Sequence, residues 1–181
     1  MPAKKKTTKK KTTKRKGISA AKGLAVAIQT ELEGYEFYKV AAQKSKDTGA
    51  KKMFESLAAD EVKHHKMLLE QYELIRKGED FKPFKKPGRS KLRVKSPVFS
   101  KAFLESGKKK NFEMSALTIG ILLEQNAINF FREQKERSTD AKAKKLFAEL
   151  VSWEGEHLRA LMAQKRFLQQ AFFAQARFEP F

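Results

Sequence analysis

Residues 57–64 read Leu57-Ala58-Ala59-Asp60-Glu61-Val62-Lys63-His64, and 93 positions later residues 150–157 read Leu150-Val151-Ser152-Trp153-Glu154-Gly155-Glu156-His157. Both stretches end in Glu-x-x-His. Each is preceded, 30 residues upstream of the motif's Glu, by a lone Glu: Glu31 before Glu61 and Glu124 before Glu154. The displacement is the same for all three pairs, since 124−31, 154−61 and 157−64 each give 93. One carboxylate followed by a carboxylate and an imidazole, written twice, describes two helical hairpins that together make a dinuclear carboxylate metal site.

The repeat extends beyond these residues. Ser45, Asp47, Lys51, Lys52 and Phe54 recur as Ser138, Asp140, Lys144, Lys145 and Phe147. Phe37 recurs as Phe130, Leu57 as Leu150 and Leu68 as Leu161, while Leu69 meets Met162. The period is one two-helix unit repeated once, too long for a solenoid.

Apolar periodicity predicts four long helices. Helix A covers about 19–44, with Leu24, Ile28, Glu31, Tyr35 and Tyr38 along one face. Helix B covers about 48–77, capped by Asp47 and stopped at Lys77-Gly78. Helix C covers about 112–137, with Leu117, Ile121, Glu124, Ile128 and Phe131 in the register of helix A. Helix D covers about 141–173 and is opened by Ser138-Thr139-Asp140. Between B and C, residues 78–111 hold Pro83, Pro87, Gly88, Pro97 and Gly107 among many lysines, a crossover connection in which Val98 to Leu104 is expected to form a short helix. The division is therefore a Lys-rich tail over 1–17, expected to be disordered, a bundle over 18–174, and a C-terminal aromatic tail over 175–181. Phe172, Phe173, Phe178 and Phe181 are expected to pack on the bundle or on a second subunit.

The net charge of +19 suggests a nucleic-acid binder until it is apportioned. Residues 1–16 hold nine basic residues and no acid, and residues 77–110 hold twelve against Glu79, Asp80 and Glu105, so each segment carries +9. The bundle itself is close to neutral. Lys4, Lys5, Lys6, Lys9, Lys10, Lys11, Lys14, Arg15 and Lys16 form a polyelectrolyte arm. It reads either as a site for DNA or another polyanion, bound by counterion release, or as a solubilising terminus. Cysteine is absent, which excludes disulfides, thiolate metal sites and cysteine-ligated clusters within these residues, so electrons are expected from an external donor. No apolar run approaches the roughly 20 residues of a membrane span, and the protein is expected in the cytoplasm, with nucleoid association if the arm binds DNA.

Glu61 with His64, and Glu154 with His157, are three residues apart and fall on one helix face. Glu31 and Glu124 lie within apolar stripes. An ionised carboxylate buried without a partner costs several kcal/mol, and four of them call for two divalent ions. Mixed carboxylate and imidazole ligation suits iron, with manganese the alternative. Glu61 and Glu154 are expected to bridge, with Glu31 and Glu124 terminal.

These segments resemble the rubrerythrin-like members of the ferritin-like diiron superfamily. Glu31-Leu32-Glu33-Gly34-Tyr35-Glu36-Phe37-Tyr38 and residues 57–64 are similar to the family's first two helix signatures, and Leu123-Glu124-Gln125-Asn126-Ala127 and Trp153 to His157 stand in the corresponding places of the second half. The resemblance implies an all-α, ferritin-like four-helix bundle of two repeated hairpins joined by a long crossover, holding two Fe ions on all six ligands. It implies a hydrogen-bonding or one-electron role for Tyr38, whose repeat partner is Phe131. It also implies that Asp60 supports the imidazole of His157, whereas the matched Trp153 cannot, and that the protein is a homodimer. Peroxidase-type rubrerythrins carry a further ligand Glu where this chain has Ala127, so the exchange of ligands that such a Glu allows is not expected. The leading function is oxidation of Fe(II) by dioxygen or hydrogen peroxide, serving iron handling and oxidative stress, with tethering to DNA as a variant. The alternatives are a diiron hydroxylase of an organic or nucleic-acid substrate, and a non-enzymatic nucleic-acid-binding protein on a metal-stabilised bundle.

Overall fold

The computed structural model describes the backbone of residues 6–84, 92, 94–106 and 110–176, and the side chains within those ranges from Ala20 to Gln175. Its helices are α1 (Lys6–Lys44), α2 (Thr48–Arg76), α3 (Lys101–Glu105), α4 (Asn111–Arg137) and α5 (Ala141–Ala176), and no strand occurs among the described residues. α1 pairs with α2 and α4 with α5, α1 meets α4 between the two hairpins, and α3 lies on α5. This is the all-α ferritin-like bundle. No helix among the described residues is long and apolar enough to cross a membrane.

The repeat is visible as repeated chemistry. Ser45 Oγ donates to the carbonyl of Ala41 (2.8 Å), and Ser138 Oγ to that of Gln134 (2.7 Å), so each first helix of a hairpin ends in the same way. Oδ1 of Asp47 accepts from the backbone N–H of Ala50 and Oδ1 of Asp140 from that of Ala143, both at 2.9 Å, and each Asp satisfies a donor that the first turn of the next helix leaves open. Tyr38 stacks on Phe54 (6.2 Å between centroids) as Phe131 stacks on Phe147 (6.3 Å). Leu57, Leu68, Leu150 and Leu161 are wholly buried.

Buried polar side chains fasten the crossover to the bundle. Gln71 Oε1 receives the N–H of Lys82 (3.0 Å) just after α2. Gln164, buried on α5, accepts from Val98 N–H (2.8 Å) and donates to the carbonyl of Ser96 (3.1 Å). Oδ2 of Asp47 accepts from Ser100 N–H (3.0 Å). Gly49 permits this docking, because a Cβ there would stand 1.7 Å from the carbonyl oxygen of Val98. The short helix expected over 98–104 forms as α3, with Ser100 Oγ accepting from Phe103 N–H (3.2 Å).

Residues 1–17 read from composition as a disordered tail, and α1 begins within them, at Lys6. Lys and Arg are good helix formers, and extending a helix already nucleated in the packed region around Leu24 avoids the nucleation cost that an isolated Lys-rich segment would face. The side chains of residues 1–19, hence the whole candidate arm from Lys4 to Lys16, lie outside the described residues, as do Phe178 and Phe181. α5 likewise runs two residues past the expected end of the bundle, to Ala176.

Candidate metal centre

Each long helix contributes inward-facing ligands: Glu31 from α1, Glu61 and His64 from α2, Glu124 from α4, Glu154 and His157 from α5. All six are at most 3% exposed. They form two groups whose ligand atoms lie within 4.8 Å of one another, Glu31, Glu61, His64 and Glu154 in one, Glu61, Glu124, Glu154 and His157 in the other. Glu61 and Glu154 belong to both. Nδ1 of His64 lies 3.3 Å from Glu31, 3.2 Å from Oε2 of Glu61 and 3.1 Å from Oε1 of Glu154. Nδ1 of His157 lies 3.3 Å from Oε1 of Glu61, 3.0 Å from Oε2 of Glu154 and 3.5 Å from Glu124. Each shared carboxylate therefore turns one oxygen to each imidazole, while Glu31 and Glu124 stand at the two ends.

Without metal the cluster must hold its charge in other ways. Burial pushes the carboxyl of Glu31 well above its usual value, and the charges of Glu154 and Glu61 act in the same direction. Burial raises Glu124 to about 8. Burial opposes ionisation of Glu61 and Glu154 as well, but the imidazoles of His157 and His64 hold both below the ordinary carboxylate range. Burial would lower the imidazoles, yet Glu154 beside His64 and Glu61 beside His157 raise them well above their usual value. Two carboxylates, two imidazoliums and two neutral carboxyls give a neutral metal-free cluster. Even so, Glu31 Oε1, both oxygens of Glu154 and Nδ1 of His157 are buried without a well-aligned hydrogen bond, the Glu154 oxygens and His157 Nδ1 being held only in ion-pair contact. Such atoms are costly unless something binds them. Two divalent cations fit, because they neutralise four carboxylates and take up the open donor atoms.

Behind the ligands the two halves differ. Tyr38, wholly buried, donates its hydroxyl in a short hydrogen bond to Oε1 of Glu124. Burial, then the charges of Glu124 and Glu61, keep that phenol protonated. Gly120 makes room for it, since a Cβ there would stand 3.3 Å from the tyrosine oxygen and 3.2 Å from Leu161. In the other half the matched residues are Phe131 and Ala27, so the added hydroxyl of Tyr38 goes with a deleted methyl at Gly120. Asp60 Oδ2 lies 3.6 Å from Nε2 of His157. Trp153, its counterpart, stacks on the ring of His64 with centroids 5.0 Å apart and planes 14° from parallel. His65 is partly exposed, away from the cluster.

A pocket of about 230 Å³ between α1 and α4 reaches Glu31, Glu61, Glu124 and Glu154 and is also lined by Gly34, Ala127, Thr30, Glu33 and Asn126. A Cβ at Gly34 would come within 3.4 Å of the Glu61 side chain. The pocket and Gly120 are the functional features that sequence reasoning did not single out. A glycine inside a helical pattern was the available signal for Gly120.

Fold and site together define a ferritin-like bundle built to hold two metal ions between carboxylates and imidazoles. The rubrerythrin family profile matches residues 22–165, well over half of the chain, and the chain belongs to the rubrerythrin family, whose members bind diiron centres. Neither a curated protein nor a solved structure matches it.

Proposed function

We propose that the protein oxidises Fe(II) with dioxygen or hydrogen peroxide, consuming the oxidant and yielding Fe(III). The observation that carries this reading is the pocket onto the four carboxylates. Its volume of about 230 Å³ is below the roughly 300–1,000 Å³ of sites that enclose organic ligands, which favours a small oxidant over a hydroxylase substrate. Two Fe(II), when bound there, would supply one electron each. With peroxide the O–O bond breaks, two protons are taken up and two waters leave; with dioxygen the same two electrons and two protons give hydrogen peroxide.

The residues of the chain divide the remaining tasks. Glu61 and Glu154, common to both groups, would hold both ions, and Glu31 and Glu124 would each hold one. Tyr38 keeps its proton and fixes the orientation of Glu124, leaving the pocket side clear at Gly34 and Ala127. Return of Fe(III) to Fe(II) draws on an external electron donor. Manganese is the alternative ion, and it would give binding without this oxidation.

The test is an anaerobic Fe(II) titration of metal-free protein followed by either oxidant, in the wild type and in Glu61→Ala and His157→Ala. Two Fe(II) per chain, oxidised rapidly in the wild type alone, is the expected result. Stoichiometric binding without oxidation by either oxidant would refute the reading. The same proposal places the protein in the cytoplasm, held near DNA through Lys4 to Lys16. Deleting residues 1–16 should abolish a salt-sensitive DNA mobility shift and leave Fe(II) oxidation intact. A salt-sensitive mobility shift that depends on the arm, with no Fe(II) oxidation in the intact chain, would instead favour the packaging alternative.

A further inference from the structure

We infer that the two metal positions are unequal: the position at His157, backed by Asp60, fills first and retains its ion, and the position at His64, backed by Trp153, exchanges its ion. The 93-residue repeat makes this a controlled comparison, because it matches Glu31 with Glu124, Glu61 with Glu154 and His64 with His157, yet sets Asp60 against Trp153. The distances from the two Nδ1 atoms to the shared carboxylates fall in the same narrow range, 3.1–3.2 Å at His64 and 3.0–3.3 Å at His157. The difference lies behind the rings.

At His157 the carboxylate of Asp60 faces Nε2 at 3.6 Å, and its other oxygen is held by the ammonium of Lys63. A carboxylate behind a ligating imidazole fixes the tautomer that leaves Nδ1 free for metal, orients the ring and raises its basicity; losing such a partner typically costs 10–100-fold in metal affinity. At His64 the matched side chain is an indole, whose ring nitrogen is a donor with nothing to accept an imidazole proton. Trp153 restrains the ring of His64 through its stacked face and is itself met edge-on by Phe84, with centroids 6.3 Å apart and planes at 87°. Packing limits rotation but does not increase basicity. The His64 position is therefore expected to bind on the order of 10–100-fold more weakly than its twin. For an iron-oxidising centre this divides the work between one resident ion and one that turns over. The inference rests on two-metal binding; only that last consequence rests on the proposed oxidation.

The chain supplies its own reporter, since Trp153 is its single tryptophan and stacks on the imidazole of His64. Co(II), stable in air, is titrated into metal-free full-length protein while its visible absorbance counts ions and Trp153 emission follows the His64 position. The first equivalent should develop absorbance with less than about a third of the total emission change, and the second should bring the rest. Asp60→Ala should weaken the first step 10–100-fold and spare the second, and Trp153→Asp, which builds the missing carboxylate, should tighten the second step. Equal emission changes for both equivalents in the wild type, or equal weakening of both steps in Asp60→Ala, would overturn the inference while leaving the diiron centre standing. Binding of fewer than two Co(II) would overturn both. The wild-type titration needs no variant to fold.

Discussion

Metal binding should expel about four protons from this protein at pH 6.5, where an open, solvated site of carboxylates would expel almost none. The count follows from the charges of the metal-free cluster. Glu124, raised to about 8, is neutral at that pH, burial drives Glu31 in the same direction, and the raised imidazoles of His64 and His157 carry their second proton. Every one of these four groups must give up its proton to become a ligand. Glu61 and Glu154, held ionised, contribute none. Linkage then requires the product of the two association constants to fall about ten-thousandfold for each unit the pH is lowered in this range. Adding two equivalents of Mn(II) to weakly buffered metal-free protein, with a pH-stat counting protons, measures the number directly. Above pH 8 the count should drop as Glu124 loses its proton before metal arrives. Fewer than two protons at pH 6.5, or a count that rises between pH 6.5 and 9, would refute this account of the cluster.

The same shifts fix how the metal-free fold responds to pH. Glu31, Glu124, His64 and His157 all bind protons more tightly folded than unfolded, so their contribution is complete at low pH and is lost as pH climbs through the raised values. The melting temperature of metal-free protein should therefore fall from about pH 6 to pH 9 while the gain on adding Mn(II) grows; a rise over that range would contradict it. Gly120→Ala brings opposed effects, a helix-propensity gain of about 1 kcal/mol against a methyl pressed on Tyr38 and Leu161. Denaturant midpoints should hardly move, but the tyrosine ultraviolet spectrum should shift as the hydrogen bond to Glu124 is disturbed, and an unchanged spectrum would show that Tyr38 does not need the space. Gly49→Ala meets backbone at 1.7 Å, so it should cost about 1–3 kcal/mol in urea unfolding despite the better helix former. Asp47→Ala removes the cap of α2 and a tie to Ser100, which should cost about 1–2 kcal/mol at neutral pH. Burial opposes ionisation of Asp47, but hydrogen bonds from Ser100 and Ala50 hold its carboxyl below its usual value, so the deficit should shrink only in acid, as the wild-type carboxylate is protonated. A deficit that persists unchanged at pH 2 would argue against the charged cap.

The helices and the gathering of six Glu and His side chains in the core could be read because their signals are local or periodic. Glu-x-x-His occurs twice at one displacement, and Glu31 and Glu124 sit where apolar residues would otherwise continue the stripe. At the N-terminus composition alone says little about where a helix starts: a segment of Lys and Thr has no apolar stripe, and α1 begins within it, at Lys6. Gln71 and Gln164 look like ordinary surface glutamines within their helices; each is buried because a distant loop delivers its backbone there, at Lys82 and at Ser96 and Val98. Gly120 acquires its meaning only from Tyr38, on another helix. The pocket depends on two small residues, Gly34 and Ala127, that come together only once the hairpins have met.

Each group of candidate ligands takes three side chains from one hairpin and its fourth from the other, Glu154 for the first group and Glu61 for the second. Two separate copies of a single hairpin, associated by a two-fold axis, could supply the same six side chains. Such a pair would be bound by its symmetry to place Asp in both copies or Trp in both, Tyr in both or Phe in both. The covalent crossover removes that obligation. Once both hairpins lie on one chain, a mutation reaches one half without reaching the other, and twin positions become free to drift toward separate tasks. The tethering of Val98 and Ser100 to the bundle is thus more than a fastening: it belongs to the connection that lets Asp60 and Trp153, or Tyr38 and Phe131, differ at all.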